Sequence, residues 1–125
     1  MNRRLDAVTL PPEDSLLSVV DGLRPRDIDF LERVYDTSLT TYRKRFRHLG
    51  FLDMDRVLDA GCGFGQWALA LPPDTEVVGL DTTPWRVNTA SLIADHNGIP
   101  KRNFCTGDIS TLPFESNSFD GIFSY

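Results

Sequence analysis

The chain has 125 residues, room for one domain, and its apolar fraction of 41% is ordinary for a soluble globular protein. No run approaches the roughly 18 apolar residues of a membrane span, and residues 1–6 lack the apolar stretch of a signal peptide, so the cytoplasm is the expected compartment. The net charge is −5, with nine basic and eight acidic side chains in residues 1–52 but four and ten in residues 53–125, a balance that argues against nucleic acid and suits a ligand carrying positive charge. Two cysteines, Cys62 and Cys105, are too few for a disulfide scaffold and read as free thiols. His48 and His96 stand alone, so no structural metal is expected.

Residues 1–26 are punctuated by Pro11, Pro12 and Pro25, and only a short helix within 15–23 is expected there. Residues 27–48 read as one long helix with Asp27 as N-cap. Phe30, Leu31, Val34, Leu39, Tyr42 and Phe46 fall roughly on one face. Arg43, Lys44, Arg45, Arg47 and His48 crowd its last turns, where cations suit the helix dipole, and Gly50 ends it.

From Arg56 the pattern alternates. A buried strand at 57–60 runs into a glycine loop, and a helix from Gln66 to Leu71 is stopped by Pro72 and Pro73. A second strand follows at 76–80. Thr83 reads as an N-cap with Pro84 at the first helical position, and Val87, Ala90, Ile93 and Ala94 supply that helix's buried face before Asn97, Gly98 and Pro100 end it. A third strand is expected at 103–106, a polar loop at 107–118 and a fourth strand at 119–125. This order implies an α/β fold with a parallel sheet and right-handed crossovers. Residues 1–52 form an N-terminal helical extension, and 53–125 the α/β core.

Three acids at strand ends carry the chemistry. In Asp59-Ala60-Gly61-Cys62-Gly63-Phe64-Gly65 a strand turns sharply into a helix through glycines that let a ligand approach the backbone. The spacing is G-x-G-x-G, whereas the dinucleotide fingerprint would want a third glycine at Gln66. Asp59 would repel a pyrophosphate and attract an ammonium or sulfonium. Asp81, twenty residues beyond Gly61, ends the second strand, where a carboxylate can accept hydrogen bonds from both hydroxyls of a ribose. Asp108, after the third strand, can accept a hydrogen bond from an adenine amino group with Ile109 packed on the ring, or it can close an Asx turn in the loop.

Together these residues resemble motif I and the two later acids of class I S-adenosylmethionine-dependent methyltransferases. The run from Asp108 through Leu112-Pro113-Phe114 to Ser118-Phe119-Asp120-Gly121-Ile122 is similar to that of the small-molecule branch containing the ubiquinone/menaquinone enzymes. The resemblance covers about residues 55–125. It implies a Rossmann-like three-layer sandwich of which this chain holds strands one to four of seven, ordered 3-2-1-4. It implies S-adenosylmethionine as cofactor, Gly61, Cys62 and Gly63 against its methionine part, Asp81 and Thr82 at the ribose, and Asp108 and Ile109 at the adenine. Ser124 and Tyr125 would lie near the methionine end. Asp120 is expected to be structural, and Tyr35 or Tyr42 to pack or to cover the site. No general base is identifiable.

The implied reaction is methyl transfer to a small molecule. A chain ending after strand four is expected to be a fragment, a truncated product or half of a split assembly with little turnover, and its 119–125 edge invites pairing. The competing readings are an NAD-dependent oxidoreductase domain and a non-catalytic sensing or partner-binding half-fold.

Overall fold

The computed structural model describes residues 8–36, 39–110 and 118–124. Three helices, α1 (Glu13–Val19), α2 (Pro25–Asp36) and α3 (Thr40–Leu49), precede β1 (Arg56–Ala60), α4 (Gln66–Ala70), β2 (Glu76–Asp81), α5 (Pro84–His96), β3 (Arg102–Thr106) and β4 (Gly121–Phe123). The strands form one parallel sheet in the order β3-β2-β1-β4, the expected Rossmann-like arrangement. Chain order reverses at β1, which has β2 on one side and β4 on the other, and in such sheets the ligand crevice opens at the carboxyl ends of the strands at that reversal.

Side chains alternate across the strands. Val57, Val77 and Phe123 face a large apolar cluster that also takes in Leu16, Leu31, Phe46, Leu69 and Ile93, so α1 to α5 share one core with this face of the sheet. Leu58, Val78 and Leu80 face a second, smaller cluster with Cys105 and Phe119. The segment before α1 is held by Asn97 at the end of α5, whose Oδ1 accepts the Thr9 N–H at 2.9 Å and whose Nδ2 donates to the Thr9 carbonyl at 2.8 Å.

Residues 27–48 are two helices, not one. Leu39 sits in a turn at the start of α3, and the two residues that follow it, Thr40 and Thr41, are β-branched and weak helix formers. The break lets Leu31 and Leu39 both reach the core. Asp27 is not the N-cap: α2 starts two residues earlier at Pro25, which suits a first helical position, and Asp27 Oδ2 instead accepts the Arg24 N–H at 2.8 Å. Thr83 has N-cap backbone geometry but makes no side-chain cap bond. Among the described residues the fourth strand is shorter than 119–125: Gly121, Ile122 and Phe123 are in register with Val57, Leu58 and Asp59 of β1. Tyr125 and the Leu112-Pro113-Phe114 run lie outside the described residues.

Candidate functional site

β1 delivers Asp59 and the glycine loop to the carboxyl edge of the sheet. The N–H groups of Gly61 and Cys62 both donate to the Leu80 carbonyl, at 2.7 and 2.9 Å, and the Gly65 N–H donates to the Cys62 carbonyl at 2.9 Å. The Gly63 N–H donates to Asp81 Oδ2 at 2.9 Å. These donors are all engaged within the fold, so the loop is not the nest of free N–H groups that cradles a phosphate. What it offers is open space. A Cβ on Gly63 would meet nothing within 4 Å, and one on Gly61 would meet only Ile109 Cδ1 at 3.5 Å and Ser124 Oγ at 3.8 Å. Gly65 differs: a Cβ there would meet Ala90 Cβ at 3.0 Å and the Phe104 ring at 3.2 Å, so this glycine lets α4 start close against α5 and β3.

Asp81 ties two segments together. Its Oδ2 holds the Gly63 N–H, and its Oδ1 accepts the Thr83 N–H at 2.9 Å, which fixes the residue that leads into α5. A carboxylate can accept about four hydrogen bonds, so Asp81 retains acceptor capacity toward the cleft. Asp59, on the adjacent strand, is only 2% exposed, and its Oδ2 has no hydrogen-bond partner. Burial, and then the neighbouring Asp81 charge, push its carboxyl up to about 8. A buried acid with an unpartnered oxygen is costly unless something satisfies it.

The other sequence-derived residues fall around this pair. The Gly107 N–H donates to the Asp81 main-chain carbonyl at 2.9 Å, which brings the exit of β3 beside that of β2. Asp108 is exposed and closes an Asx turn, its Oδ1 accepting the Ser110 N–H at 2.9 Å and the Ser110 hydroxyl at 2.8 Å. These bonds, the backbone one first, hold its carboxyl below the usual range. Ile109, 46% exposed, and Ser124 both come near Gly61. Thr82 is exposed beside Asp81. Cys62 is turned inward and buried, with its thiol pushed up chiefly by burial and then by Asp59. Neither its side chain nor its N–H is free for a ligand.

The partners of three further residues escape sequence reasoning because each contact joins positions far apart in the chain, and Arg102 is not singled out by the sequence at all. The buried Tyr35 hydroxyl on α2 donates to the Phe64 carbonyl inside the glycine loop at 3.0 Å, whereas Tyr42 packs edge-on against Trp67, with ring centroids 4.5 Å apart. The Arg102 guanidinium donates to the carbonyls of Ala68, Leu71, Pro72, Thr75 and Pro100 at 2.6 to 3.1 Å, satisfying the end of α4. Asp120 Oδ2 accepts the N–H groups of Asp55 and Arg56, which places it at the opposite edge of the sheet, as expected of a structural residue. Among the described residues no group of three or more His, Cys, Asp or Glu could hold a metal ion, and no helix is long and apolar enough to cross a membrane.

A parallel sheet ordered 3-2-1-4, with a glycine loop after β1 and an acid ending β2, defines a nucleoside-binding α/β domain. The chain belongs to a methyltransferase-domain family, whose model matches residues 57–125. It is 35% identical over 80 residues to the sterol 24-C-methyltransferase of Pneumocystis carinii, covering 62% of this chain and 21% of that protein. It is 43% identical over 68 residues to the uncharacterized methyltransferase YcgJ of Bacillus subtilis, covering 54% of this chain and 27% of that one. The crystal structure of YcgJ matches with a TM-score of 0.59 and 31% identity, over 68% of this chain and 37% of that chain. The N-terminal domain of EvdMO1, solved with S-adenosylhomocysteine bound, shares the fold at a TM-score of 0.52 and 22% identity, over 59% of this chain and 31% of that chain. The chain therefore spans about a quarter of the length of the two curated relatives.

Proposed function

We infer that this chain binds S-adenosylmethionine and forms the donor-binding part of a methyltransferase that acts on a small molecule. The observation that carries this reading is the pairing of Asp59, buried with an unpartnered oxygen, with an open main-chain surface at Gly61 and Gly63. That combination fits a cationic ligand and disfavours a pyrophosphate, because the loop N–H groups at 61, 62, 63 and 65 are already engaged. The same facts weigh against a nicotinamide dinucleotide.

When bound, S-adenosylmethionine supplies a methyl group already activated by its sulfonium. The work left to this chain is positioning. Asp81 and Thr82 would hold the ribose. Asp108 would use its remaining oxygen toward the adenine, with Ile109 on the ring face, and Asp59 would balance the positive charge beside Gly61, Gly63 and Ser124. α2 braces the loop through Tyr35, which supports a covering role for residues 1–52. The sterol methyltransferases among the relatives favour an apolar small acceptor, and the Asp108–Ile122 motif is compatible with the ubiquinone/menaquinone branch as one form of it. Among the described residues β4 pairs with β1 alone, and Ile122 is 56% exposed. Both facts support a further strand pairing along this edge.

Calorimetric titration with S-adenosylhomocysteine and, separately, with NADH tests the reading. Binding of the first and not the second is expected. The reverse preference would overturn it.

A further inference from the structure

A second cavity, of about 550 Å³, lies on the helical side of the glycine loop between α2 and the first turns of α4 and α5. Its wall is a row of aromatic rings. Phe30 stands 5.7 Å from Phe64, and Phe64 stands 5.8 Å from Trp85, centroid to centroid. Phe30 is 41% exposed although it is large and apolar. Three guanidiniums rim this wall: Arg26 and Arg33, one helical turn either side of Phe30 on α2, and Arg86, whose Cζ lies 5.1 Å from the Trp85 ring centroid. None of the three makes an ion pair among the described residues.

One carboxylate, Asp27, also lines the cavity, but its Oδ2 is engaged by the Arg24 N–H and lies 3.6 Å from the Arg24 guanidinium. Arg26 and Arg33 also border a more open hollow of about 900 Å³ with Asp29 and Glu32, and those two acids do not line the aromatic cavity. Gln66 lines it and has a buried Oε1 with no partner. In a chain of net charge −5, this is a local concentration of unpaired positive charge over an apolar wall.

We propose that this cavity is a binding site for a small anionic molecule with a flat apolar body, such as an aromatic carboxylate or phosphate. The rings would take the flat face by stacking. The arginines, whose planar fork matches carboxylate and phosphate oxygens, would take the anionic group. The site shares only Gly63 and Phe64 with the donor cleft and contains neither Asp59 nor Asp81, so its test does not depend on donor binding.

The probe is 1-naphthoate, with 1-naphthalenemethanol as its uncharged counterpart. Binding is read from Trp85 emission in a Trp67→Phe background, and calorimetrically in the unsubstituted 125-residue chain. Naphthoate is expected to perturb Trp85 and to bind about tenfold more tightly than the alcohol, since the charge-assisted bonds are lost with the carboxylate. Arg33→Gln and Arg86→Gln, both at exposed positions that do not threaten the fold, should each weaken naphthoate by about fivefold and leave the alcohol unchanged. Equal affinity for the two probes, or naphthoate affinity unchanged in both arginine variants, would overturn the proposal. So would calorimetric binding that leaves Trp85 emission unmoved.

Discussion

The Tyr35 hydroxyl and the Phe64 carbonyl meet at 3.0 Å in a buried contact, which joins the last turn of α2 to the heart of the glycine loop. Tyr35 lies 29 positions before Phe64, and burial holds its phenol well above its ordinary value, so the hydroxyl keeps the proton that it donates. The loop's shape therefore depends on a helix outside the matched family region.

Tyr35→Phe removes the hydroxyl and leaves the Phe64 carbonyl buried without its partner. A loss of about 1–2 kcal/mol of stability is expected. Affinity for S-adenosylhomocysteine should fall as well, because the loop loses its brace. Chemical denaturation alongside calorimetry checks both, and unchanged affinity in a destabilised variant would limit Tyr35 to packing.

Gly63→Ala and Gly65→Ala should separate ligand space from packing. Both residues have positive φ, so each substitution carries roughly 1–2 kcal/mol of backbone strain. At Gly65 the methyl also collides with Ala90 and Phe104, adding about 1–3 kcal/mol of overpacking. At Gly63 the methyl meets no protein atom but occupies the proposed ligand space. Thermal melts should rank Gly65→Ala as the less stable variant, and titration should rank Gly63→Ala as the weaker binder for its stability.

Asp59 gives the ligand-free chain a pH dependence. Its carboxyl stands near 8 in the folded chain and near the ordinary value of about 4 when unfolded. Between these values the folded state holds a proton that the unfolded state has lost, so stability falls as pH rises from about 4 to about 8 and levels off above. An ammonium-bearing ligand favours the ionised form, so its binding should release a proton and tighten over the same window, by up to about tenfold per pH unit. Asp59→Asn should flatten both profiles. A wild-type chain whose stability rises from pH 5 to pH 8 would contradict this assignment.

Asp81→Asn retains the size of the side chain and one carbonyl oxygen, yet it cannot accept from both Gly63 and Thr83. Affinity for S-adenosylhomocysteine should fall at least tenfold, roughly the effect of losing a charged hydrogen bond. Removing the Asp81 charge also relieves Asp59, whose carboxyl should move down toward the ordinary range. Nuclear magnetic resonance titration of the Asp59 carboxyl checks the second outcome.

Much of the core was legible because its determinants are local. The apolar runs at 57–60 and 76–80, the Pro84 start and the Asn97-Gly98 stop each lie within one element, where period and backbone preference suffice. The α2–α3 break was hidden because Phe30 and Val34 continue the helical period, while Phe30 in fact leaves the core to face Phe64. Asp108 was legible as a strand-end acid with an Asx turn as its alternative, and the fold has it close that turn on Ser110.

The succession of strands and helices along the chain, the glycine spacing and the three acids follow from the sequence by itself, since each is written in neighbouring residues, whereas the sheet order 3-2-1-4 came with the family resemblance and is realised by pairing between distant strands. Which of those groups remain free for a ligand was decided by the tertiary structure alone. Leu80 and Asp81 arrive from β2 to engage the loop donors, Tyr35 arrives from α2 to hold the loop, and the fold closes around Asp59 while leaving one of its oxygens unpaired. Such long-range pairings arise when the strands align, and no spacing along the chain encodes them.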